Sequence, residues 1–239
     1  QTISFLLSPA AVDLCRPEYE TGDLLRFREN TQTYSTSILN IFEELICAVI
    51  LSSITSHTLA LRTIRTIHNP PYDLTDSKFI RDTGRETIRQ ALRDAHIPDK
   101  EKIAKQIELP KCSTTALQIQ AGREIKEEYR VLWSSIKGIS KAGLDIFSRR
   151  IQWQWLEAFS FINNRDRQAV GLLGLSHDVN ELVELVWDHW NKLRRVELDD
   201  RKRRAFVTVL ERAEGAELES KTDMVLAKAY KASLRTPII

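Results

Sequence analysis

The tetrapeptide SSIK, Ser134 to Lys137, sets a serine hydroxyl and a lysine amine at the spacing of a Ser-x-x-Lys nucleophile and base. The companion motifs of enzymes built on that pair are missing, and the four residues fall inside an ordinary helical pattern, so no catalysis is expected of them. The five histidines, His57, His68, His96, His177 and His189, are scattered without the spacing of metal ligands. Nor does the sequence carry a glycine-rich phosphate loop, a dinucleotide fingerprint, a paired-histidine zinc helix or an EF-hand loop. Cys15, Cys47 and Cys112 are odd in number and far apart, which fits buried thiols in a reducing compartment better than a disulfide framework or a zinc module. The expectation is a protein that is not an enzyme and uses no metal or cofactor.

Binding chemistry is better represented. In RRIQWQWLEAF, Arg149 to Phe159, two tryptophans follow a pair of arginines. On a continuous helix Trp153 and Trp155 face about 200° apart. Trp155 falls in line with Leu144, Phe147, Ile151, Ala158, Phe159 and Ile162 and is expected in the core. Trp153 falls on the reverse side beside Ile146, with Arg149 and Arg150 about one turn before it. Trp153, Arg149, Arg150 and Ile146 are therefore one candidate surface for a protein partner, because Trp and Arg dominate interface energetics. The competing reading is a second face packed on another helix.

The other candidate is KLRRVELDDRKRR, in which Lys192, Arg194, Arg195, Arg201, Lys202, Arg203 and Arg204 are interrupted by Glu197, Asp199 and Asp200. Clustered cations of this kind bind phosphates by releasing counterions. They equally stabilise the C-terminus of one helix, as the aspartates stabilise the N-terminus of the next. The run itself has no interleaved aromatic residues of the sort single-stranded nucleic acid stacks on.

The elements that would position these residues are helices throughout. Apolar residues recur with helical period and no alternating strand pattern stands out, so the expected fold is all-α, one domain over 1–239 of about ten helices around a long central one. The centre is the apolar pattern from Ser35 to His68, ended by Asn69, Pro70 and Pro71. Within it Leu45 to Leu61 holds no charged side chain over 17 residues, just short of a bilayer span and rich in Ser and Thr, so a buried helix and no membrane are expected. Ser8 and Pro9 start a short helix, and another is expected over Asp23 to Glu29. Further helices are expected over Asp76 to Ala95 with a small-residue face including Gly84, between Pro98 and Pro110, over Ser113 to Lys137, and through the tryptophan pair to Asn163. RQAVGLLGLS then reads as a link, followed by helices from Ser176, over Asp199 to Ala213 and over Ser220 to Leu234.

The chain has 239 residues, is 42% hydrophobic and 28% charged, and has a formal charge of +2, the values of an ordinary folded chain and too mild to imply a polyanionic partner. No signal peptide is expected at the start. Lys202 to Lys231, KRRAFVTVLERAEGAELESKTDMVLAKAYK, resembles the tail of phlebovirus-type nucleoproteins, all-α RNA-encapsidating proteins of similar size. That resemblance carries over no RNA-binding residue. In layout, a motif-poor all-α chain of this size resembles the TRF-homology-type adaptors of telomere-capping (shelterin) complexes, which dock peptides from other subunits. It implies an intracellular, nuclear adaptor that binds peptide segments of other proteins, with self-association open to the same surfaces and nucleic acid as the alternative partner.

Overall fold

The computed structural model describes residues 1–18, 20–22, 31–35, 38–108, 139–192 and 199–235. The chain is all-α, with no strand among the described residues. The expected helices over Asp23 to Glu29 and Ser113 to Lys137, the latter including SSIK, lie outside the described residues, as does Cys112. The chain divides into two compact units, Arg28–Ile151 and a discontinuous one made of Gln1–Phe27 with Gln152–Ile239.

In the Arg28–Ile151 unit, α2 (Ile41–Ser53) is buried on nearly every side from Phe42 to Ile50. Asn40 starts it through a reciprocal capping box: its Oδ1 accepts from the Phe42 and Glu43 amides at 2.9 and 3.0 Å, and Glu43 Oε2 accepts from the Asn40 amide at 2.6 Å. The long central helix expected from Ser35 to His68 is in fact two, because α3 runs from His57 to His68 after an extended break at Ile54. Ser56 makes the break, its Oγ capping the Leu59 amide at 3.3 Å, and Ser53 Oγ turns outward to Gln106 Oε1 at 3.1 Å. The uncharged run is therefore folded in two pieces, and no helix of the described residues is long and apolar enough to cross a membrane.

Around α2 pack α3, α5 (Lys100–Glu108) and α6 (Lys141–Ile151), with α4 (Ser77–Asp94) against α3 and α5. Gly143 lets α6 close on the end of α2, since a Cβ there would meet Ile139 Cγ1 and Ser52 Oγ at 2.7 Å. Gly84 was expected on a close-packed face, but it interrupts α4 with φ +79 and a Cβ there would touch nothing within 4 Å, so its role is conformational. Inside the unit, Arg150 grips the fully buried Glu44 of α2 in a two-pronged bond, Nε to Oε2 at 2.7 Å and Nη2 to Oε1 at 2.9 Å.

In the discontinuous unit the spine is α9 (Asp199–Leu218), which meets α1 (Thr2–Leu6), the 3-10 turn Pro9–Leu14, α7 (Asn164–Leu172), α8 (Val179–Lys192) and α10 (Thr222–Arg235). RQAVGLLGLS is thus mostly helix, not link. Asn163, expected to end a helix, begins one: its Oδ1 accepts from the Asp166 amide at 2.8 Å and Asp166 Oδ2 accepts from the Asn163 amide at 3.2 Å. The core joins Ile3 and Leu6 to Leu182, Val186, Phe206 and Leu210. Arg212 of α9 closes the end of α1 by donating to the Leu6 and Ser8 carbonyls.

Two buried polar groups make the stability of the Arg28–Ile151 unit testable. Arg150→Met leaves Glu44 buried without its partner and should cost about 3–5 kcal/mol in urea unfolding, while Glu44→Leu with Arg150→Met should recover most of that loss. His68 ends α3 at 2% exposure with neither ring nitrogen hydrogen-bonded, and burial lowers its pKa from 6.5 to about 4. The unfolded chain therefore takes the proton first, so the stability is present above about pH 6.5 and lost as pH falls toward 4. Between pH 7 and 4 the wild type should lose about 3 kcal/mol more than His68→Leu, read from urea unfolding at each pH.

Candidate functional site

The helix expected to carry both tryptophans stops at Ile151. Gln152, fully buried, instead clamps a loop: its Oε1 accepts from the Phe161 amide at 2.8 Å and its Nε2 donates to the Phe161 carbonyl at 3.1 Å. Those two bonds hold residues 152–161 as a hairpin-like excursion with a 3-10 turn at Leu156–Ala158. Trp155 becomes the extended residue before that turn and is half-buried, where the helical projection placed it in the core.

The first candidate surface is accordingly dispersed. Arg149 and Arg150 are interior, 2% and 6% exposed. Arg149 Nη2 donates to the Tyr34 hydroxyl at 3.3 Å, and the Arg150 guanidinium lies 4.4 Å from the Tyr34 ring centre while it holds Glu44. Ile146 is half-buried on α6. The helix whose spacing grouped these three with Trp153 ends before residue 153. The arginines were read as surface because helical spacing reports a face and does not report what covers it.

Trp153 finds other company. The Arg204 guanidinium lies 5.5 Å from its ring centre, and Arg203 Nε donates to its carbonyl at 3.4 Å. Two residues before Arg204 on α9, Lys202 stands 5.6 Å from the ring centre of Trp187 on α8. The Trp187 ring also stacks on Phe159 of the loop, 6.1 Å between centres and 4° between planes, and Phe159 meets Phe206 edge to face at 5.5 Å. The start of α9 thus makes aromatic contacts on two sides, Lys202 with Trp187 of α8, which stacks on Phe159, and, about 200° round the helix, Arg204 with Trp153 of the loop. Trp153, Trp187 and the three cations are all half-buried.

The two candidate sets, separate in sequence, therefore meet through Trp153 and the second half of the basic run. Of the remaining members of that run, Lys192 ends α8 and Arg201 lies in the first turn of α9, whereas Arg194 and Arg195 lie outside the described residues. The dipole account fits Asp199 and Asp200, which open α9, and fits Lys192. It does not fit Lys202 to Arg204, cations in the N-terminal turns of a helix, where packing over indole rings is the better explanation. Trp187 and Phe159 escaped the sequence reading as site residues. Periodicity assigned Phe159 to a core stripe, and no local signal says that a lysine fifteen residues after Trp187 returns to meet it.

Among the described residues no group of histidine, cysteine and carboxylate side chains could hold a metal ion. Cys15 is held well above its ordinary range, to about 11, chiefly by burial, so its thiol is not an activated nucleophile. No protein-family model, curated protein or solved structure matches the chain. The loop clamp is directly testable. Gln152→Ala removes two part-buried hydrogen bonds and should cost about 1–3 kcal/mol, with a red-shifted and more readily quenched tryptophan emission as the loop carrying Trp153 and Trp155 loosens.

Proposed function

We propose that the chain is a non-enzymatic helical adaptor that binds a peptide segment of a partner protein around the start of α9, where Lys202, Arg203 and Arg204 meet Trp153 and Trp187. The observation that carries this reading is that two half-buried tryptophans, one from a loop and one from α8, each meet a cation at the start of α9. Indole and guanidinium groups supply most of the energy of protein interfaces, and here helices and the Gln152 clamp hold them in place before any partner arrives. Tethering Trp153 to α9 through Arg203 and Arg204 also lowers the ordering cost of binding.

A second reading has one observation in its favour. The basic run lacks aromatic residues in sequence, but the fold sets Trp153 and Trp187 beside it, the pairing that single-stranded nucleic acid uses. Trp153→Ala combined with Lys202→Gln should weaken capture of a protein partner at least about tenfold while circular dichroism and unfolding midpoint stay close to wild type. Loss of folding in that variant would make the face structural. The nucleic-acid reading requires measurable binding of a single-stranded oligonucleotide near about 50 mM salt that weakens steeply as salt is raised.

A further inference from the structure

An adaptor face leaves open what its occupant must contain, and the residues around Trp153 decide that chemistry. Neither Lys202 nor Arg203 pairs with a carboxylate among the described residues. Elsewhere, Arg16, Arg89, Arg150, Arg165 and Lys221 each do. Three residues beyond Trp153 the loop presents Leu156, 62% exposed, next to half-buried Trp155. The loop whose Trp153 carbonyl Arg203 holds thus carries exposed apolar surface three residues further on. The unit that bears these cations has slightly more acidic than basic side chains overall, so its net charge is not what makes the start of α9 basic.

On the adaptor reading of this face, we propose that its occupant is a short acidic segment of a partner protein in which aspartate or glutamate residues flank an aliphatic or aromatic one. The carboxylates pair with Lys202 and Arg203, and the apolar residue rests on Trp153 and Leu156. Charge complementarity selects an anion. The exposed leucine selects a polypeptide over a nucleic acid, because a base stacks on the indole but makes little use of an aliphatic neighbour.

Selection from a random twelve-residue peptide library on the immobilised full chain tests this, with polyuridine as a separate probe. The expected result is enrichment of acidic sequences around an apolar residue. Their affinity should fall roughly tenfold or more on Lys202→Gln with Arg203→Gln, substitutions that remove both charges and keep polar side chains at the two positions. Enrichment of neutral or basic peptides that still require Trp153 would overturn the acidic chemistry and leave the adaptor reading standing. Enrichment of no peptide that requires Trp153, or polyuridine binding tighter than any peptide and lost in the same variants, would overturn both.

Discussion

The Arg150–Glu44 pair settles more of this molecule than any other contact. A carboxylate in the middle of the most buried helix is unfavourable unless a cation reaches it with good geometry, and Arg150 does so with two bonds while its guanidinium face covers Tyr34. The pairing fixes the rotation of α6 against α2 and draws Arg149 inward beside it. It also spends the arginine pair on the interior, and so any binding by the following tryptophans has to recruit its cations from elsewhere in the chain.

The recruitment comes from α9. Lys202 to Arg204 occupy the end of a helix where the backbone dipole disfavours positive charge, and two aspartates open the same helix. Indole faces offer two of these side chains an alternative, since the Lys202 ammonium lies over Trp187 and the Arg204 guanidinium over Trp153. The face therefore joins a packing solution to a recognition surface. Phe159 and Phe206 anchor it from below through ring contacts that reach the core.

Much of the fold was legible from residue order. The helical period gave the all-α class, Pro98 and Pro110 bracketed α5, and the start of α9 and both ends of α10 fell close to their expected places, whereas α9 runs past Ala213 to Leu218. The failures have a common cause: hydrophobic periodicity runs on across a break. Ser56 stops the pattern in the middle of an uncharged stretch, and the Gln152 side chain stops it between two tryptophans, each by offering backbone groups a different partner. Asn163 did carry a readable signal, an aspartate three residues on, which marks a helix start. The candidate site was half legible, since Trp153 and the cations were both singled out, but their meeting depends on a tertiary contact fifty residues apart in sequence.

The discontinuous unit orders events during synthesis. Its first helix carries Ile3 and Leu6, whose packing partners are on α8, α9 and α10, and its next turn brings the Cys15 carbonyl so close to Gly215 that a Cβ there would stand 2.1 Å away. On a ribosome, the earliest of these residues emerge long before the surfaces that receive them, while the intervening Arg28–Ile151 unit already has all its own partners. The nested unit is free to fold first, and the outer one has to keep an apolar N-terminal segment unburied until the last helices arrive.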